Sequence, residues 1–183
     1  MRPCVYVANH RSYLDIPVLS GVLGGTFLSR ADVASWPLVG TVAKEIGTVF
    51  VERDDLHGRV RAARALKRCA GTCSVIVFPE GTTGSERMPG EFHPGLFRLL
   101  ARLAVPVVPI TVRYSDRRAY WTEDITMWQH LRTRVFSNST LRTAVHIAPP
   151  LRVASSDDGS CLRRAAYEAV CRPIAEFGEL VCT

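Results

Sequence analysis

The chain has 183 residues, enough for one domain with a sizeable core, and its 47% hydrophobic and 22% charged residues lie near the globular average, which excludes disorder and low-complexity architectures. The formal charge of +6 is carried by 21 arginines and only 2 lysines, a balance that favours anionic partners such as phosphate headgroups, nucleotides or acidic proteins. Its longest uncharged apolar run, residues 16–29, is 14 residues long and broken by Pro17 and three glycines, short of the roughly 20 that a membrane-spanning helix needs.

Short apolar runs alternate with helical patterns along the chain. The runs at 4–8, 25–30, 47–53, 73–80, 105–114 and 141–150 read as strands. Helices are expected over 14–23, 37–45, 58–70, 95–103, 126–134 and 159–178. The product is an α/β fold, a mixed, mostly parallel sheet layered with helices, its central strands apolar because both faces are covered. Pro109 falls inside the β-branched run at 107–114, where a central ladder admits proline only at a bulge or an edge, so a bend is expected there. In residues 58–70, Val60, Ala63 and Leu66 share one helical stripe, and Arg61, Arg64 and Arg68 form a solvated face.

The polar residues worth chemical attention sit where strands end, which is where open α/β sheets bind ligands. His10 follows the first strand, and Asp15 opens the next helix five positions on. An imidazole titrates near neutral pH and can take a proton, provided its other nitrogen is held; an aspartate folded back from the first helical turn would hold it. No Gly-x-Ser-x-Gly elbow is present, so His10 would activate a hydroxyl on a substrate rather than on the protein. Two further strands end in charged turns, Gly47-Thr48-Val49-Phe50-Val51-Glu52-Arg53 and Phe78-Pro79-Glu80-Gly81-Thr82. Arg53 offers a fork that matches a phosphate, and the amides around Gly81 and Thr82 offer donors. Taken singly, each of these stretches is equally an ordinary surface turn. The first fifteen residues turn polar after eight and lack a small-residue cleavage site, so no leader is expected. The six cysteines form no Cys-x-x-Cys pair and read as reduced structural thiols.

In this order and spacing, the four stretches resemble the four blocks of the glycerolipid acyltransferases typified by 1-acylglycerol-3-phosphate acyltransferase. His10 to Asp15 matches the His-x4-Asp block, Gly47, Phe50 and Arg53 the Gly-x-x-Phe-x-x-Arg block, Phe78 to Thr82 the Phe-Pro-Glu-Gly-Thr block, and Val108 to Ile110 the Val-Pro-Ile block. The resemblance implies transfer of a fatty acyl group from acyl-CoA or acyl carrier protein to the free hydroxyl of a lysolipid, foremost 1-acylglycerol-3-phosphate. It assigns His10 as general base and Asp15 as its orienting partner. It places Gly47, Phe50, Arg53, Glu80, Gly81, Thr82 and Pro109 about the substrate, with no metal and no cofactor beyond the acyl donor.

Thr83-Gly84 stands where many members have Arg-Ser, and Glu-Gly-Thr-Thr with the segment 119–131 is similar to members acting on lyso-ornithine lipid, the alternative acceptor. A thioesterase using water, or a non-catalytic module binding anionic lipid or an acyl carrier, are further readings. Members usually carry a membrane-associating segment ahead of the first block. Here a single acyltransferase domain over 1–183 is expected without it, cytoplasmic and peripheral on the inner face of the cell membrane. No nucleic-acid partner is expected. An acyl groove walled by Ile16, Leu19, Val49, Phe50 and the neighbourhood of Pro109 is expected, and His57, His93, His130 and His146 read as solvated turn residues.

Overall fold

The computed structural model describes residues 3–30, 34, 40, 45, 48–51, 56–70, 72–122, 124–136, 140–152 and 158–177. Six strands form one sheet: β1 (Val5–Ala8), β2 (Thr26–Arg30), β3 (Val49–Val51), β4 (Val75–Val77), β5 (Val107–Tyr114) and β6 (Thr143–Ile147). Helices α1 (Asp15–Leu23), α2 (Leu56–Ala70), α3 (Pro94–Leu103), α4 (Met127–His130) and α5 (Ser160–Phe177) lie between and after them. A π-helical turn, Leu131–Val135, continues α4. The helix expected at 37–45 falls almost wholly outside the described residues.

The strand order is β3-β2-β4-β1-β5-β6. All neighbouring pairs are parallel except β5 and β6, which run antiparallel with Val112 opposite Val145. β1 is central, flanked by β4 and β5, with Tyr6 opposite both Ile76 and Val108. Its carboxyl end therefore sits between the ends of two later strands, a position where open α/β sheets gather ligand-binding loops.

Alternation along the strands splits the core into two layers. Val5, Val7, Val75, Val77 and Val107 pack with Leu66 of α2, Phe97 and Leu100 of α3, and Leu162, Ala166 and Val170 of α5. Tyr6, Ala8, Ile76, Val108, Ile110 and Val112 face the other way, against Leu19 of α1. At about 2 kcal/mol per fully buried aliphatic side chain, these layers supply most of the driving force for folding. α3 begins with Pro94, whose fixed φ suits the first helical turn.

Pro109 neither ends β5 nor places it at an edge. The strand runs unbroken for 8 residues between β1 and β6, with Pro109 opposite Val7. The Pro109 carbonyl accepts from Ala148 N–H at 3.0 Å, so the proline nitrogen also faces the β6 side, one register past the end of that strand. The missing N–H falls beside residues 148–151, where the chain after β6 carries one extra residue between its bonds to Pro109 and to Val107, and the parallel pairing to β1 is untouched.

Among the described residues, no helix is long and apolar enough to cross a membrane, no group of three or more His, Cys, Asp or Glu could hold a metal ion, and Cys4, Cys69, Cys73, Cys161 and Cys171 are free thiols.

Candidate active site

The site is anchored by Asn9, fully buried at the end of β1. Its side-chain amide crosses to β5, donating to the Val112 carbonyl at 3.0 Å and accepting from Val112 N–H at 2.7 Å. His10 comes next, fastened on its main chain from two sides: its N–H donates to Glu80 Oε1 at 2.8 Å, and its carbonyl accepts from Gly84 N–H at 3.1 Å. The imidazole lies flat on the Phe78 ring, centroids 3.9 Å apart and planes 12° apart. Phe78 ends the neighbouring strand β4, so the pairing of β1 with β4 sets this stack.

Asp15 closes the loop. Its carboxylate is wholly buried and gathers four donors. Oδ2 accepts His10 Nδ1–H at 2.8 Å, Arg11 N–H at 2.7 Å and Ser12 N–H at 3.0 Å. Oδ1 accepts the Tyr114 hydroxyl at 2.6 Å. A spacing of four residues between His10 and Asp15 is what lets the loop wrap its own amides around the carboxylate while the helix begins. Because a carboxylate only accepts, the proton of the neutral imidazole resides on Nδ1 and Nε2 presents a lone pair. Among the described residues Nε2 has no hydrogen-bond partner, and the His10 side chain keeps 17% of its surface open. That is the configuration of a general base: oriented from behind, bare in front. Burial, reinforced by the Asp15 charge, pushes the Tyr114 phenol far above its ordinary range, so this residue stays a proton donor in the hydrogen bond.

Sequence reasoning missed three contributors. Phe78 stood inside a recognised block without an assigned role. Tyr114 lies 99 positions from Asp15 and becomes its neighbour only through the pairing of β1 with β5. His130, expected in solvent, is fully buried. Its Nε2–H donates to the Tyr120 carbonyl at 2.9 Å, and its Nδ1 accepts the Tyr13 hydroxyl at 2.9 Å. Burial lowers the His130 pKa, which keeps it neutral, and burial also raises the Tyr13 phenol to about 12. The one polar signal was a histidine followed by an apolar residue in an amphipathic stretch, too common to single out.

Arg11, next to the base, is 1% exposed. Its guanidinium donates to the Arg87 carbonyl at 3.0 Å and to the Gly84 carbonyl at 3.4 Å, and sits 5.5 Å from the Tyr120 ring centroid. It pins the 84–87 loop beside the His10–Asp15 turn.

Glu80 spends its carboxylate on main-chain donors, Oε1 on His10 N–H and Oε2 on Gly90 N–H at 2.6 Å. Burial raises its pKa, and these two hydrogen bonds oppose the rise. Gly81 adopts φ 77°, the left-handed region in which a side chain is strained, and closes a turn by donating to the Phe78 carbonyl at 3.2 Å. Thr82 is exposed beside it. Phe50 is half-buried on the edge strand β3. With β2 and β4 between, it lies about 14 Å from β1 by strand spacing alone, so only an extended substrate spans both. Gly47 and Arg53 lie outside the described residues.

The structure holds an apolar groove of about 700 Å³, between Cys4, Tyr6, Leu23, Val105, Val108 and Leu151. Of the expected groove wall, Leu19 is wholly buried core, while Val108 beside Pro109 lines this groove. The groove opens at the amino-terminal ends of β1 and β5, away from His10.

Three comparisons bear on this arrangement. A family model described as Acyltransferase matches residues 1–113. The lyso-ornithine lipid O-acyltransferase of Pseudomonas aeruginosa is 32% identical over 183 aligned residues, covering 97% of this chain and 69% of that protein. A chloroplastic 1-acyl-sn-glycerol-3-phosphate acyltransferase of Brassica napus is 40% identical over 116 residues, 60% of this chain and 33% of that protein. The crystal structure of the 1-acyl-sn-glycerophosphate acyltransferase PlsC from Thermotoga maritima shares the fold, with a TM-score of 0.66 at 23% identity, covering 96% of this chain and 66% of that one. The chain thus spans between a third and about two thirds of the length of these proteins.

Proposed function

The chain belongs to the acyltransferase family, and from that premise we propose that it transfers a fatty acyl group from a thioester to the free hydroxyl of a lysolipid. The observation that carries this reading is the contact of His10 Nδ1 with Asp15 Oδ2 at 2.8 Å, which leaves Nε2 without a hydrogen-bond partner among the described residues. In the proposed step, Nε2 takes the proton of the lysolipid hydroxyl as its oxygen attacks the thioester carbonyl. The tetrahedral intermediate collapses with cleavage of the carbon–sulfur bond, and the imidazolium returns its proton to the departing thiolate. Asp15 stabilises the imidazolium throughout, and no covalent acyl-enzyme is needed. The donor is acyl-CoA or acyl carrier protein, and the enzyme works peripherally on the inner membrane face.

Two acceptors have specific support. 1-Acylglycerol-3-phosphate is the acceptor named for the plant relative and the solved structure. Lyso-ornithine lipid is the acceptor named for the Pseudomonas relative, whose alignment runs through 97% of this chain rather than its first blocks alone. Either offers an anionic group, a phosphate in the first and a carboxylate in the zwitterionic second, and a free hydroxyl. Purified protein given a labelled acyl thioester and both lysolipids tests the reading: labelled ester should appear in step with thiol release. Thiol without new ester means a thioesterase, and neither product means a binding module.

A further inference from the structure

We propose that residues 127–136 form a membrane-seating patch that binds an anionic lipid surface beside the catalytic loop. Resting on the lysolipid reading, the proposal names the surface by which the enzyme meets its lipid-embedded acceptor.

Four observations carry it. Trp128 is 47% exposed and Phe136 is 74% exposed, an indole and a phenyl ring presented to solvent within one short α-to-π helical stretch. Arg132 and Arg134 are exposed between them. Residues 125–136 hold these two arginines and no aspartate or glutamate, and exposed Asp124 at the start of the segment interacts with Arg134. Finally, the segment is bolted to the active site: buried His130 accepts the hydroxyl of Tyr13, a residue of the His10–Asp15 loop, and Trp121 N–H donates to the Arg11 carbonyl at 2.9 Å.

Exposed aromatics with arginines between them match the chemistry of a bilayer interface: rings settle at headgroup depth while guanidinium groups meet lipid phosphates. An acidic carrier protein would use the arginines but would gain less from a protruding phenyl ring. The capping box at Thr126 and Gln129 and the buried His130 fasten α4 to the body of the protein.

The experiment measures co-sedimentation of the 1–183 chain with vesicles of phosphatidylcholine, with and without phosphatidylglycerol, in the absence of turnover. Wild type should bind the anionic vesicles preferentially. Arg132→Gln with Arg134→Gln should weaken partitioning roughly 25-fold at low salt, about fivefold for each arginine. Trp128→Ala and Phe136→Ala should each cost roughly tenfold. Arg172→Gln, on exposed α5, should change nothing beyond a small net-charge effect. All variants should retain wild-type circular dichroism and wild-type turnover of a water-soluble short-chain thioester with monomeric lysolipid. Vesicle binding equal to wild type in the arginine and aromatic variants overturns the proposal, as does equal loss in Arg172→Gln. Retained vesicle binding with loss of turnover only when the donor is on acyl carrier protein assigns the patch to the carrier instead. Because partitioning is read without catalysis, an inactive protein that still binds through these residues refutes the lysolipid reading and not the patch.

Discussion

Asparagine at position 15 isolates the charge of the His10–Asp15 pair from its geometry. In many histidine–aspartate pairs this change costs about ten-thousandfold because the amide turns its NH2 toward the imidazole and inverts the tautomer. Here the inversion is blocked. Two main-chain N–H groups, of Arg11 and Ser12, converge on the oxygen that also receives His10. An amide NH2 at that position would face three donors in a buried pocket, so the amide oxygen must occupy it. The NH2 then meets Tyr114, whose hydroxyl can rotate to accept. The Nδ1 proton stays in place and only the charge is lost. With charge centres about 4 Å apart and an effective dielectric near 20, the lost attraction to the developing imidazolium is at most about 4 kcal/mol, or roughly a thousandfold. Asp15→Asn should therefore lower kcat by about ten- to a thousandfold with little change in KM, and 15N spectra of His10 should show the wild-type tautomer. A ten-thousandfold loss with an inverted tautomer would refute this reasoning, and so would a loss under about threefold.

Tyr114→Phe removes the donor to Asp15 Oδ1 and leaves a buried lone pair unmet, which should destabilise the fold by about 1–3 kcal/mol in denaturant titrations. A denaturation midpoint equal to wild type would assign Tyr114 no part in holding Asp15. His130 has a folded pKa below its unfolded value of about 6.5 because it is buried, so below that pH the unfolded chain binds more protons than the folded one. Stability should therefore fall as pH drops below about 6.5, and His130→Asn should flatten that slope in thermal melts; an unchanged slope would show that other groups set it.

The local elements were legible because the apolar runs are unbroken and the helical patterns clear: all six expected strands form, and helices arise at 15–23, 56–70, 94–103 and 160–177. The His10–Asp15 pair was legible too, since its spacing is itself the geometry. What the sequence hid is long-range. Strand order decides that Phe78 underlies His10 and that Tyr114 reaches Asp15, and no pattern within either strand states that order. Pro109 in a β-branched run signals a bulge or an edge, and the irregularity lies on the partner segment, where 148–151 carries one extra residue opposite 107–109. His130 misled because a lone histidine in an amphipathic segment reads as solvated until Tyr13 and Tyr120 close around it. Leu19 misled for the same reason as strand order: it is apolar in either role, and only packing makes it core.

The central claim is that His10 Nε2 removes the acceptor's proton, and the most direct test is single-turnover acyl transfer by His10→Ala with a labelled acyl thioester and a lysolipid acceptor. Ester formation should drop by at least about a hundredfold, the loss expected for a positioned general base, while lysolipid affinity by equilibrium binding stays within about twofold of wild type. Folded His10→Ala protein that retains more than about a tenth of the wild-type rate would contradict it.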